Sequence, residues 1–251
     1  MSKQKTQRID KILASSGYGS RKDVKKLIKA GQVSVNDNIV SDAGFQVNPS
    51  EDQISVAGQD LIFHEHVYIM LNKPEGAISS THDTKDTTVI DLLEGEYSHR
   101  NLFPVGRLDK DAQGLILLTD DGKLAHKLLS PKNHIEKTYY VEVKGKLDDS
   151  DINAFAQGIQ LEDFITLPSK LDVLESGNIS RCYVTICEGK YHQIKRMMQA
   201  RGKKVIYLKR LSIGALKLDE ELSPGSWRQL TQDEILLLDI GKVNSHKCEQ
   251  F

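Results

Sequence analysis

A chain of 251 residues has room for one large domain and a small one, and 39% hydrophobic against 27% charged residues excludes the fibrous and disordered classes. No apolar run approaches the roughly eighteen residues of a membrane span, and Met1 to Thr6 has no apolar signal core, so a cytoplasmic protein with no membrane partner is expected. The formal net charge of -1 hides an asymmetry: residues 1–33 carry nine Lys/Arg against two Asp/Glu, and residues 190–210 carry eight Lys/Arg and no acid. Two concentrated basic segments on an otherwise acidic chain are the footprint of a polyanion binder, although either run alone is equally a solvated helix face.

Taken in order, residues 8–36 predict two short helices and a strand. Ile9, Ile12 and Leu13 recur at helical spacing and Gly17 closes the turn; Ser20 with Asp23 caps a second helix with an apolar stripe of Val24, Leu27 and Ile28. The other side of that helix stacks Arg21, Lys25 and Lys29, with Lys22 and Lys26 beside them. Like charges at this spacing cost about 0.2–0.5 kcal/mol each, so five on one helix point to a phosphate backbone that neutralises them. A strand over Gly31 to Asn36 and a turn at Asp37-Asn38 follow. After a polar connection containing His64 and His66, Val67 to Leu71 reads as a buried strand ended by a turn, Asn72-Lys-Pro-Glu-Gly76. Segment 77–104 is polar and loop-rich, with one short helix over Val89 to Glu94.

Leu115 to Leu118 is an unbroken apolar run bounded by Gly114 and Asp120-Asp121-Gly122, the pattern of a strand buried on both faces. The loop before it offers Arg107 and Asp109 two residues apart, hence on one side of an extended segment. Gly122 to Ser130 predicts a helix with Leu124, Leu128 and Leu129 inward. His134 to Val143 alternates as a strand that aims Tyr139 inward and Tyr140 outward. Asp151 to Gly158 suggests an exposed helix, Arg181 to Cys187 a strand, and Tyr191 to Arg201 a helix with Ile194, Met197 and Met198 inward. Lys195 and Arg196 fall at the start of that helix, where the dipole disfavours cations unless an anion lies near. Thr231 and Glu234 cap a last helix ahead of Ile235 to Leu238, and the tail from Asn244 is polar and expected to be loose. Cys182, Cys187 and Cys248 form no ligand pattern; free thiols and no metal site are expected, even with His192 nearby.

Gly106-Arg-Leu-Asp109 followed by Gly114-Leu115 resembles the signature loop of the pseudouridine synthases, whose aspartate is the essential catalytic residue. A hydroxyl residue is usual where this chain has Ala112, which predicts an effect on loop rigidity rather than on the reaction. Asn72-Lys-Pro-x-Gly76, Lys137-Thr-Tyr139, Glu188-Gly-Lys-Tyr-His192-Gln-Ile-Lys195-Arg196-Met-Met198 and the closing segment Leu211 to Leu230 resemble the same family in order. Arg8-Ile-Asp10, Gly17, Ser20-Arg21, Leu27-Ile28 and Gly31-x-Val33-x-Val35-Asn36 resemble the RNA-binding module named after ribosomal protein S4.

These resemblances imply an α+β protein: a small S4-type domain at 1–61, a catalytic domain at 65–240 on a mixed, mainly antiparallel sheet with flanking helices, and a flexible tail at 241–251. They imply Asp109 as catalytic carboxylate, attacking ribose carbon 1 or taking a sugar proton, with Lys195 holding it ionised and Tyr139 stacking on a flipped base. Arg107, His192, Arg196 and the basic residues Arg8, Arg21, Lys22, Lys25, Lys26 and Lys29 are the expected RNA contacts. No cofactor or metal is implied, and the partner is ribosomal RNA or a ribosomal assembly particle met by a monomer. Thr119-Asp-Asp-Gly122, His126, Ser130-Pro131 and Gly158-Ile-x-Leu-Glu-Asp163 resemble most the branch acting on one uridine of small-subunit rRNA. Alternatives are a large-subunit rRNA synthase, a catalytically silent RNA-binding or ribosome-assembly protein and, least well supported, a glycosidase using Asp109 and Asp111.

Overall fold

The computed structural model describes residues 6–239. The chain divides into two compact units, one running to His66 with Gly95–Asn101 added, the other formed by Val67–Glu94 and the chain from Leu102 onward. In the first unit β1 (Gln7–Arg8), α1 (Ile9–Ser15), α2 (Arg21–Lys29), β2 (Val33–Val35), β3 (Asn38–Ile39), β4 (Gln46–Val47), β5 (Ile54–Val56) and β6 (Gln59–Asp60) follow one another. The strands pair as β3-β2-β5-β6 and, separately, β1-β4.

Ser20 and Asp23 form the expected reciprocal cap of α2, which buries Val24 and Ile28 among Ile9, Ile12, Leu13, Val33 and Val47. The β2-β3 turn sits on Asn36 and Asp37, one residue earlier than expected; both have positive φ, as a two-residue hairpin turn of this hand requires. Segment Gly95–Asn101 belongs with this unit, where Arg100 donates to the carbonyls of His64 and Glu65.

The second unit contains β7 (Tyr68–Lys73), β8 (Phe103–Pro104), β9 (Gln113–Thr119), α3 (Gly122–Leu129), β10 (Lys137–Lys144), α4 (Asp149–Gln157), β11 (Lys170–Glu175), β12 (Ile179–Ile186), α5 (Gln193–Ala200), β13 (Lys204–Ile213), β14 (Leu216–Lys217), β15 (Trp227–Gln229) and α6 (Gln232–Asp239). One mixed sheet runs β11-β12-β10-β13-β9-β7-β15, with β14 on β13 and β8 on β9. All its pairings are antiparallel except that of β9 with β13. The α+β class and its mixed, mainly antiparallel sheet are as the resemblance implies. Leu115, Ile116, Leu117 and Leu118 in β9 are all fully buried, each burial worth about 1.5–3 kcal/mol, which makes β9 a rigid base for the loop before it.

Several local expectations are corrected. Strand β7 continues through Asn72 and Lys73, both buried, instead of ending before them. Only three residues of the expected 89–94 helix, Asp91–Leu93, form a helical turn, of the tighter 3-10 kind. Leu129 on α3 is exposed, because the inward face is completed by Ala125. Strand β10 starts at Lys137, since His134 has a left-handed backbone. Helix α4 is not an exposed helix: Phe155 and Asp151 are buried, and Arg201 and Lys203 converge on the Asp151 carboxylate at 2.9 and 3.4 Å. Two cations of the second basic segment therefore serve the fold. The expected loose tail from Asn244 lies outside the described residues.

Candidate active site

Asp109 stands in the loop between β8 and β9, and the end of β7 with the residues after it holds that loop in place. Lys73 is completely buried, and its ammonium donates to the carbonyls of Ala112 (2.8 Å), Pro74 (3.1 Å) and Lys110 (3.3 Å). Burial pushes its pKa down to about 8, against the pull of Asp111 and Asp109. Ser79 clamps Leu108 from both sides: its hydroxyl donates to the Leu108 carbonyl and accepts from the Leu108 amide, each at 2.9 Å. The amide of Gly76 donates to the Lys110 carbonyl, and that of Ala112 to the Asp109 carbonyl. The Ala112 methyl is buried in the core, so backbone contacts fix the loop where a hydroxyl is absent.

Above this loop stands the start of α5. The Lys195 ammonium lies 2.8 Å from Asp109 Oδ2 and 2.6 Å from Asp111 Oδ1. Burial works against its charge, but the hydrogen bonds it donates to the two carboxylates outweigh it and raise its pKa. The same ammonium holds the Asp111 carboxyl below its ordinary range. His192, at the N-cap with a left-handed backbone, places Nε2 3.5 Å from Asp109 Oδ1 and stacks on Tyr191 with ring centroids 3.8 Å apart. The two carboxylates thus sit where the helix dipole favours anions, which offsets Lys195 in its first turn.

Tyr139 on β10 lies across the sheet from Val184 and Arg210, beside a bulge in the β10-β13 ladder between Thr138 and Tyr139. Bulges re-aim side chains next to sites, and Tyr139, Arg107, Asp109, His192 and Lys195 all line one cleft, with Leu108, Ile194 and Leu208 as apolar walls. A carboxylate beside a fixed cation, an aromatic ring in an apolar slot and an exposed Arg107 at the rim can hold a flat ring next to a sugar.

Arg196 is placed differently from expectation. Its guanidinium pairs with Asp163 and it is not among the cleft residues. Arg8 grips Asp10 through two hydrogen bonds of 3.0 and 2.8 Å, and Lys26 pairs with Asp23 at 3.2 Å, whereas Arg21, Lys22, Lys25 and Lys29 lie on exposed α2 positions. Cys182 and Cys187 are buried and in no disulfide, and burial pushes the Cys182 thiol up to about 12, the opposite of what a thiolate ligand needs. Sequence reasoning missed Ser79, gave Lys73 no role of its own, and named Asp111 only beside Asp109 in the glycosidase alternative. Lys73 left one trace, its place in the Asn72-Lys-Pro-x-Gly76 motif.

Residues 67–200 match the RNA pseudouridylate synthase family, and residues 7–54 match the S4 domain. An uncharacterized RNA pseudouridine synthase of Bacillus subtilis is 46% identical over 235 residues, covering 92% of this chain and 98% of that protein. The ribosomal small subunit pseudouridine synthase A of Escherichia coli is 39% identical over 231 residues, covering 91% of this chain and 98% of that protein. A crystal structure of a pseudouridylate synthase superposes with a TM-score of 0.65 at 39% identity, covering 92% of this chain and 99% of that one. The chain belongs to the RNA pseudouridine synthase family and carries an S4 domain ahead of the synthase domain. As in other members, the chemistry is an isomerisation within RNA, and no helix among the described residues is long and apolar enough to cross a membrane.

Proposed function

We propose that this protein converts one uridine of small-subunit ribosomal RNA to pseudouridine, acting as a monomer with Asp109, Lys195 and Tyr139 as its catalytic residues. The observation that carries the reading is the 2.8 Å contact between Lys195 and Asp109 inside the cleft that Tyr139 and Arg107 also line. The small-subunit target rests on the E. coli relative and others of its name, which span nearly the whole chain.

In the isomerisation the bond from base nitrogen 1 to ribose carbon 1 breaks, the base turns, and a bond from carbon 5 to the same ribose carbon forms. Carbon 5 loses its proton to solvent and nitrogen 1 ends protonated, so no redox change or external group enters. Asp109 acts at the sugar, as nucleophile on carbon 1 or as base for a ribose proton, with the Lys195 ammonium 2.8 Å from its carboxylate. The target base must leave its stack, at a cost of a few kcal/mol, and the ring of Tyr139 receives it in the apolar slot. Arg107, exposed at the rim, fills the vacated stack and holds phosphate, while His192 lies within reach of the same carboxylate. The exposed cations of α2 bind RNA through its phosphates.

The test is to incubate the protein separately with small-subunit and large-subunit rRNA transcripts, free and as assembly particles, and map pseudouridine by base-resolved sequencing. One new pseudouridine in small-subunit rRNA is expected. Modification confined to the large-subunit transcript, or none in any substrate, contradicts the assignment.

A further inference from the structure

Beside the cleft lies a second cavity of about 230 Å³, lined by Tyr139 and not by Asp109. It shares Arg107, Tyr139, Gly189 and Lys190 with the cleft, so its contents touch the same residues as the target nucleotide. Lys137 and Arg210 line it and belong to the ladder that carries Tyr139: Lys137 precedes Tyr139 by two on β10, and Arg210 is the direct partner of Tyr139 on β13.

Arg210 is almost completely buried. Its Nε donates to the Leu115 carbonyl at 2.8 Å, and its Nη2 is buried with no hydrogen-bond partner. A buried donor left unpaired costs about 1–3 kcal/mol, more when it is charged, so such an atom is kept where something supplies an acceptor. Lys137 donates to the Ile135 carbonyl at 2.9 Å, which leaves donor capacity on its ammonium; burial, and then the nearby Arg210 charge, push its pKa down to about 8. The one acid in the lining, Glu188, is already engaged: Oε1 accepts from the Leu167 amide at 2.8 Å and from Gln193 at 2.7 Å, and Oε2 faces Lys190 at 3.7 Å.

We infer that this cavity seats a backbone phosphate of the RNA strand that carries the target uridine, held by Lys137 and Arg210. The inference rests on the RNA reading above and extends it to a second subsite. A uracil edge fits poorly, because its ring N–H needs an acceptor and the lining offers donors. A phosphodiester presents only acceptors and carries the charge that relieves the repulsion between the two cations. Phosphate contacts fix register without reading sequence, so a phosphate seated here sets how far the neighbouring base can swing toward Tyr139.

The experiment uses the full chain and measures rRNA affinity across a salt series together with turnover, for wild type, Lys137→Gln, Lys137→Arg and Arg210→Lys. Lys137→Gln is expected to weaken rRNA binding roughly tenfold and to flatten the slope of log affinity against log salt by about 0.7, one single-strand phosphate contact. Lys137→Arg is expected to restore both, which a merely structural role does not predict, and Arg210→Lys to keep its melting temperature within a few degrees while losing affinity. An unchanged slope in Lys137→Gln with normal wild-type turnover overturns the subsite and leaves the proposed function standing. Absent wild-type turnover overturns that function, while the slopes still report on the cavity. Equilibrium dialysis of the free protein against inorganic phosphate separates the sources: Lys137-dependent phosphate binding with an unaltered RNA salt slope assigns the cavity to a free anion and contradicts the inference.

Discussion

Lys73 shows how much of the site depends on a residue that never meets substrate. Its ammonium ties three carbonyls around the Asp109 loop from within the protein, so Lys73→Met leaves the carbonyls of Ala112 and Lys110 without that donor. Rate should fall at least about tenfold through displacement of Asp109. Stability carries a second signature. A lysine with a folded-state pKa of about 8 releases its proton in the native state before it does so in the unfolded chain, where the value is 10.5. Between these pH values the unfolded chain binds more protons, so native stability rises with pH across that window. In urea titrations wild type should gain stability relative to Lys73→Met from pH 8 to 10.5; parallel curves contradict the assigned shift. Asp111 gives the complementary case. Its carboxylate is largely exposed, and exposed ion pairs are worth about 0–1 kcal/mol, so Asp111→Asn should change the rate less than about tenfold whereas Lys195→Met should cost far more. Equal losses in the two variants sink the distinction. Asp109, Tyr139 and Lys195 were legible because each stands in a motif whose spacing can be read along the chain. Arg210 was not, and Lys73, although it stood in the Asn72-Lys-Pro-x-Gly76 motif, showed no sign of burial, since nothing local marks a cation for burial; only the strands brought from elsewhere enclose them.

At the scale of elements, the parallel pairing of β9 with β13 joins the signature loop to the strand that carries Arg210. It was not legible, because β13 lacks strict alternation, with Lys209 and Arg210 adjacent, and its Lys and Arg read as a binding run instead of a strand. The pairing depends on Gly114, whose φ is +102° and where an added Cβ would lie 2.3 Å from the Arg210 carbonyl oxygen. Backbone cannot give way there as a side chain does, so Gly114→Ala should lower the melting temperature by several degrees, read by calorimetry, and misplace both Asp109 and Arg210. Retention of wild-type stability and rate contradicts the close approach. Helix α2 was legible to its cap, because capping chemistry is local: Ser20→Ala should cost about 0.5–2 kcal/mol, with the low end favoured by its exposure, in chemical denaturation. Leu129 was misread for a reason of the same scale, since a helix shows the core only one stripe and Ala125 completes it.

For the whole molecule, charge distribution decides more than net charge. The second basic segment proved to be divided: Arg201 and Lys203 neutralise a buried Asp151, Arg196 is taken by Asp163, and Lys195 serves two carboxylates. The run along α2 keeps Arg21, Lys22, Lys25 and Lys29 exposed, so replacing Lys22, Lys25 and Lys29 by Gln should flatten the salt dependence of rRNA binding by about 2–3 in slope. An unchanged slope would remove α2 from the RNA contact. The central claim, that one carboxylate performs the isomerisation, is tested most directly by tritium release. Small-subunit rRNA tritiated at carbon 5 of uridine is mixed with excess wild type or Asp109→Asn, with bound RNA measured in the same samples. The account predicts release from wild type and a loss of at least about 100-fold in Asp109→Asn at undiminished binding; release from Asp109→Asn at a rate near wild type would contradict it.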